Sequence, residues 1–140
     1  DIRLLIAGSG DKNGTIIRLG KELLGDRFEH ISVSFSKMPE VYRAADLFTL
    51  VSESSEAFGN VFVEAMATNL PLVAIDDEQR REIVGDAGFY VDPIDVENYA
   101  RVLKKALSLD WGNKPRKQAE KFDWDIIAKK YENLFNEILK

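Results

Sequence analysis

Two glutamates, Glu56 and Glu64, lie on either side of Gly59. From Asn60 onward the spacing is helical, so Gly59 stands at a helix amino terminus, where free backbone N–H groups and the helix dipole attract phosphate oxygens. Glu64 follows roughly 7.5 Å along the axis at 1.5 Å per residue, a separation that suits a diphosphate and a ribose. Its carboxylate can accept hydrogen bonds from a vicinal diol. Glu56 precedes the helix, where a sugar on the distal phosphate would project. The spacing therefore suits a nucleotide-sugar.

A helical wheel divides this predicted helix into two sides. Asn60, Glu64 and Ala67 share one side, so Glu64 is expected to face a cleft rather than the core. The apolar side that is expected to face the core holds Val61, Phe62, Ala65 and Met66. An ordinary alternative stays open, because acidic residues near a helix amino terminus often serve only as dipole partners or surface charges.

Alternating strand and helix patterns place this helix in an α/β fold. Residues 47–51 form a short β-branched and aromatic run, so the loop with Glu56 follows the carboxyl end of a strand, where open α/β sheets bind ligands. The predicted strands cover residues 2–7, 30–35, 47–51, 71–75 and 88–91. The predicted helices cover residues 15–24, 37–45, 60–68, 79–84, 96–107, 114–121 and 126–139. This order predicts a Rossmann-like parallel sheet with helices on both faces.

Composition limits the classes of function. With 140 residues, 45% of them hydrophobic, the chain is expected to form a single domain over residues 1–140, closed by the helices of about 113–140. The net charge of −5 argues against a nucleic-acid partner. No apolar run approaches the ~20 residues of a membrane span, and the first residues do not resemble a signal peptide. The absence of cysteine excludes disulfides and thiolate nucleophiles.

Residues 52–74 resemble the Glu-x7-Glu signature of retaining GT-B glycosyltransferases, the family 4 class that uses nucleotide-sugar donors in glycan biosynthesis. Further segments, in the family's order, resemble its first glycine turn, its tyrosine and alanine-aspartate element, the segment after the donor loop and the start of its closing helix. These segments are residues 4–10, 41–48, 81–93 and 122–124. The resemblance covers nearly the whole chain and implies the C-terminal half of a GT-B fold.

The resemblance also implies roles for individual residues. Glu56 would contact the hydroxyls of the donor sugar, and Glu64 the ribose. In such enzymes the departing diphosphate assists its own departure and the acceptor attacks from the same face, so Glu56 would position and stabilise rather than attack. Neither a metal nor a cofactor is implied. The remaining donor-binding residues would be Ala57, Phe58, Gly59, Asn60 and Val61 at the sugar and diphosphate, Gly8, Ser9 and Gly10 at the phosphates, and Ser34 near the base.

Two departures from the family pattern matter. Asn69 stands where the family commonly has glycine. The family's first strand and helix, with basic residues that contact the diphosphate, have no counterpart here, and neither does the N-terminal acceptor domain. The missing strand is central in the usual order 3-2-1-4-5-6. A strand exchanged in a homodimer, another chain or a changed strand order would each fill the gap.

These expectations together describe a cytoplasmic parent enzyme, with peripheral membrane attachment through the absent domain as an alternative. The parent is expected to be a retaining hexosyltransferase that acts on an acceptor such as a glycan or lipid, and the isolated chain to bind the donor without transferring it. The alternative function is a non-catalytic folding or interaction module with a degenerate nucleotide site.

Other chemistries are less favoured. A dinucleotide fingerprint that begins at Gly8 would need a third glycine where Asn13 stands. His30 is the only histidine and is more typical of a structural residue than of a catalytic one. The acidic run of residues 76–78 is more typical of a solvated loop than of a metal site. Phe122 and Trp124 are expected to anchor the C-terminal helix rather than to stack on a ligand.

Overall fold

A computed structural model describes residues 2–51 and 58–139. Two residues of the predicted site, Glu56 and Ala57, lie outside the described residues. The chain divides into two compact units, with the boundary between Val41 and Tyr42.

The first unit contains a parallel pair of strands and one long helix. Strand β1 (Leu4–Ala7) leads to helix α1 (Asn13–Leu24), and β2 (Phe28–Ile31) pairs with β1 in parallel register. Gly25 ends α1 with a φ of 56°, directly after the predicted end of this helix at Leu24. Helix α2 (Met38–Arg43) has Pro39 in its first turn, and the boundary between the units falls within it.

The predicted strand over residues 30–35 is wrong in its position. The strand begins at Phe28 and ends at Ile31, because β1 ends at Ala7, the partner of Ile31. The last bond at this end joins the amide of Gly8 to the carbonyl of Ile31, at 3.0 Å. Beyond it Phe35 begins a 3₁₀ turn and is 79% exposed. A strand extends only as far as its partner supplies hydrogen bonds, and the sequence alone does not show where that partner ends.

The second unit is built on a parallel sheet of order β3-β4-β5. Its strands are β3 (Phe48–Leu50), β4 (Leu72–Ile75) and β5 (Gly88–Val91). Helix α3 (Asn60–Ala67) joins β3 to β4, and α4 (Glu78–Val84) joins β4 to β5. Helices α5 (Val96–Ser108), α6 (Lys114–Glu120) and α7 (Trp124–Ile138) follow. These bounds agree with the sequence prediction to within a few residues.

Apolar side chains cover both faces of this sheet. Val73, Val91 and Ala106 form one buried cluster, which places α5 on one face. Leu72 and Ala74 alternate with Val73 and therefore point to the opposite face, where α3 and α4 contact β4. The buried side chains of these two helices include Phe62, Met66, Ile83 and Val84. The expected α/β architecture with helices on both faces of a parallel sheet is confirmed.

Among the described residues, the strand order is β1-β2 in the first unit and β3-β4-β5 in the second.

The C-terminal helices differ in how they are held. Gln118 of α6 donates its side-chain amide to the carbonyl of Ile83 at 2.9 Å, which fixes α6 to the end of α4. Helix α7 leaves large apolar side chains exposed, among them Phe135 at 57% and Ile138 at 69%. Within the described residues, no helix combines the length and the apolar character that crossing a membrane requires.

Candidate functional site

Gly59 sets the geometry at the start of α3. It is buried, and its φ of 78° and ψ of 60° place it in the left-handed region. A Cβ at this position would lie 2.7 Å from the ring of Phe62, so both the backbone and the packing require glycine. The carbonyl of Gly59 accepts the amide hydrogen of Phe62 at 2.9 Å. The amides of Asn60 and Val61, in the first turn, have no acceptor inside the helix and can bind an anion.

Glu64 lies one helical turn beyond Asn60, and a tyrosine holds its carboxylate. The hydroxyl of Tyr42 donates a hydrogen bond of 2.9 Å to Oε2 of Glu64. Glu64 is partly buried, whereas Tyr42 is only 4% exposed. The helical wheel correctly places Phe62, Ala65 and Met66 in the core. It gives no indication of the bond to Tyr42, which is distant in sequence.

The hydroxyl of Tyr42 stays protonated at neutral pH. Burial raises the pKa of Tyr42 well above its usual value, and the hydrogen bond to Glu64 and the negative charge of that carboxylate raise it further. A tyrosine with the ordinary pKa of about 10 is already protonated at neutral pH, so the raised pKa extends the range of pH over which Tyr42 donates to Glu64.

Aromatic rings connect Tyr42 to the glycine turn. The ring of Tyr42 meets that of Phe48 edge-on at 5.8 Å, and Phe48 meets Phe62 edge-on at 5.9 Å. Because Phe62 packs directly beneath Gly59, the start of α3 and the partner of Glu64 rest on one continuous group of side chains.

Arginines hold the acidic run after β4. Arg81 binds both carboxylate oxygens of Asp76, at 2.6 and 2.8 Å. Asp77 caps α4 by accepting the amide hydrogen of Arg80 at 2.7 Å. It also forms an ion pair of 3.3 Å with the Arg80 guanidinium, which is buried and lies 6.0 Å from the ring centre of Phe62. These two carboxylates are thus engaged by the protein, and the described residues contain no His, Asp and Glu group with the arrangement of a metal site.

Phe58, directly before Gly59, contacts the turn between α6 and α7. Its ring meets Phe122 edge-on at 5.7 Å, and Phe58 is 42% exposed. Phe122 therefore ties this turn to the candidate site, whereas Trp124 is 82% exposed. The two aromatic residues of the closing segment thus have different surroundings.

Asn69 keeps the turn after α3, at the position where the family that the sequence resembles commonly has glycine. Its φ of 70° is left-handed, a conformation that asparagine tolerates better than most residues. The amides of Asn69 and Leu70 bond to carbonyls in the last turn of α3 and close the helix. The side chain donates to the carbonyl of Gly112 at 2.8 Å and accepts from the amide of Arg116 at 3.2 Å. Asparagine thus keeps the backbone conformation and adds two bonds to the start of α6.

The predicted site residues fall in both units. Gly8, Ser9 and Gly10 are exposed between β1 and α1 in the first unit, where the carbonyl of Gly10 accepts from the amide of Asn13 at 3.1 Å. Ser34 is exposed after β2, and its hydroxyl lies 3.0 Å from that of Ser36. The residues that the structure brings together on or beside α3, in the second unit, are Phe58, Gly59, Asn60, Val61 and Glu64.

A surface depression elsewhere in the second unit has a volume of about 630 Å³. Its lining includes Gly85, Gly88, Trp111 and Lys114. It lies at the amino end of β5, whereas open parallel sheets bind ligands at the carboxyl ends of their strands. This depression is therefore not the candidate site.

The comparison with protein families decides the family. The model of the family described as "Glycosyl transferases group 1" matches residues 1–122. The chain belongs to this glycosyltransferase family. A D-inositol 3-phosphate glycosyltransferase of Mycolicibacterium smegmatis is 35% identical over 88% of the chain. An exopolysaccharide phosphotransferase of Streptomyces coelicolor is 34% identical over 98% of the chain.

Solved structures support the fold of this glycosyltransferase domain. The chain superposes on a structure of the GtfA/B complex with a TM-score of 0.80 and 18% identity, over 97% of the chain and 29% of that structure. At this identity the likeness shows the fold alone, and the neighbours are GT-B glycosyltransferases. The chain spans 31% of the mycobacterial relative and 15% of the Streptomyces relative.

Proposed function

We propose that this chain is the donor-binding domain of a retaining glycosyltransferase and that it binds a nucleoside-diphosphate sugar. The observation that carries this proposal is the start of α3, where Gly59 holds a left-handed turn against Phe62. The same short helix carries an amide-rich amino end and a fixed carboxylate, that of Glu64. Membership of the family supports sugar transfer as the reaction of the parent protein.

The residues of α3 would act mainly on the diphosphate and the ribose. The amides of Asn60 and Val61 and the dipole of α3 would bind the diphosphate and stabilise the charge that grows as it leaves. Glu64 would accept hydrogen bonds from the ribose hydroxyls. Glu56, outside the described residues, is proposed to position the donor sugar.

The transfer would then exchange one bond for another at the anomeric carbon. The bond from that carbon to the diphosphate breaks, and the acceptor hydroxyl forms a bond on the same face. The hydroxyl proton passes to the departing diphosphate. Because the new bond forms on the face that the diphosphate leaves, the anomeric configuration is unchanged. We propose a hexosyl group as the transferred sugar and a glycan or lipid as the acceptor.

We propose that the acceptor site lies in a part of the parent protein outside this chain. The chain spans only 31% of the mycobacterial glycosyltransferase, which supports this proposal.

Exposed apolar side chains on α7, such as Leu134, Phe135 and Ile138, offer a surface for further protein to cover. A second copy of this chain is the alternative partner for this surface. Light scattering of the purified chain distinguishes a monomer from a dimer. We expect no sugar transfer by the chain alone, and a measured transfer would refute that expectation.

Nucleotide binding to the purified chain tests the donor-binding proposal. Uridine, guanosine and adenosine diphosphates are compared by calorimetry and thermal unfolding, and one of them is expected to bind. At a concentration about 100 times its dissociation constant, the nucleotide that binds should raise the free energy of unfolding by ~2.7 kcal/mol.

Two variants make this test specific. Glu64→Ala should weaken binding, whereas Glu132→Ala, which removes an exposed carboxylate paired with Lys129 on α7, should leave it unchanged. If none of the three nucleotides binds, the donor-binding proposal fails and the interaction module becomes the better hypothesis. Retention is tested on the full-length parent, whose product should keep the anomeric configuration of the donor by NMR.

A further inference from the structure

The carboxylate of Glu64 has a built support. Its Oε2 accepts the hydroxyl hydrogen of Tyr42 at 2.9 Å, and no other partner of this carboxylate is found among the described residues. Glu64 is partly buried on α3, and Tyr42 belongs to the same unit of the chain. The bond therefore fixes one oxygen of the carboxylate, and a ligand would use the lone pairs of Oε1.

Tyr42 is itself held rigidly. It is 4% exposed, and its ring packs edge-on against Phe48 at 5.8 Å with an angle of 71° between the rings. Phe48 packs in the same manner on Phe62, 5.9 Å away. Since Phe62 is 1% exposed and lies beneath Gly59, the tyrosine hydroxyl and the amides at the start of α3 are positioned by the same buried side chains.

We propose that Tyr42 is a positioning residue for the donor: its hydroxyl fixes the Glu64 carboxylate in the orientation that binds the ribose hydroxyls. This inference rests on the proposed function. A free glutamate side chain loses rotamer freedom when a ligand immobilises it, and that loss weakens binding. Tyr42 imposes the order before the ligand arrives. The hydroxyl is a donor at neutral pH because the ordinary pKa of tyrosine is about 10, and burial raises the pKa of Tyr42 further.

The test compares Tyr42→Phe with the wild-type chain, because phenylalanine keeps the ring and removes only the hydroxyl. The probes are uridine, guanosine and adenosine diphosphates and the 2′-deoxy and 3′-deoxy forms of the tightest binder. Tyr42→Phe is expected to weaken binding of the ribonucleotide by roughly 2- to 10-fold, the cost of ordering one flexible side chain. Binding of the deoxy form that lacks the contacted hydroxyl should change little, so the preference for ribose should fall by a similar factor.

A double-mutant cycle with Glu64→Ala isolates the pair, because alanine has no acceptor for the Tyr42 hydroxyl. If Tyr42 acts through Glu64, Tyr42→Phe should have a much smaller effect on ribonucleotide affinity in the Glu64→Ala background than in the wild type. If the role of Tyr42 is only structural, Tyr42→Phe should lower the affinity for ribose and deoxyribose nucleotides equally, and in both backgrounds. That result, or an unchanged ribose preference in Tyr42→Phe, would overturn the inference.

The outcomes also separate this inference from the proposed function. If Glu64→Ala weakens binding while Tyr42→Phe behaves as wild type, donor binding stands and only the role of Tyr42 is refuted. If the wild-type chain binds none of the three nucleotides, the proposed function and this inference fail together.

Discussion

Replacing Gly59 by alanine should destabilise the chain by more than the cost of placing alanine in a left-handed backbone conformation. The left-handed φ of 78° costs an alanine about 1 to 2 kcal/mol. The added Cβ would also lie 2.7 Å from the ring of Phe62, which is 1% exposed and cannot move freely. Overpacking of this kind costs about 1 to 3 kcal/mol. The expected loss for Gly59→Ala is therefore about 2 to 5 kcal/mol.

Gly112 offers a matched control. Its φ of 55° is also left-handed, but a Cβ there would meet no atom within 4 Å. Gly112→Ala should therefore lose only the backbone contribution of about 1 to 2 kcal/mol. The free energies of unfolding are measured by urea denaturation of the three chains, with the slope of the transition compared to confirm that the unfolded states are alike.

The double variant Gly59→Ala with Phe62→Leu examines the cause. If the ring is the obstacle, the cost of Gly59→Ala should fall in the Phe62→Leu background, since the smaller side chain leaves room. Equal losses for Gly59→Ala and Gly112→Ala would refute the argument that Phe62 supports the start of α3.

Two further predictions concern stability. Because the pKa of Tyr42 is raised, first by burial and then by Glu64, the native state keeps its proton where the unfolded chain loses it, and stability should fall as pH rises above roughly 10. Urea denaturation at about pH 9 and pH 11 should show a steeper loss for the wild type than for Tyr42→Phe, by up to about 1.4 kcal/mol per pH unit; equal losses would contradict the raised pKa. Asn69→Ala should lose about 2 to 3 kcal/mol, since it forfeits two hydrogen bonds and strains a φ of 70°. Asn69→Gly should lose less because glycine adopts that φ freely, and an equal loss by thermal or urea unfolding would exclude backbone strain.

Local pattern determined much of the fold. The periods of apolar residues identify the strands β1, β3, β4 and β5 and the helices to within a few residues, because burial repeats every two residues in a strand and about every 3.6 in a helix. The same pattern correctly places Phe62, Ala65 and Met66 in the core. It misplaces β2, whose end depends on where β1 stops offering hydrogen bonds.

In the candidate site, too, the sequence predicts the local features, and only the tertiary structure shows the contacts between distant residues. The sequence alone predicts Gly59 and Glu64 as site residues, since a glycine before a helix and a carboxylate one turn inside it are local features. Only the tertiary structure brought Tyr42 to Glu64 and Asn69 to Gly112. A hydrophobic period indicates which face of an element is buried, but not which atom from a distant part of the chain meets it there. The sequence therefore supplied the groups that could bind a donor, and the fold decided how they are held.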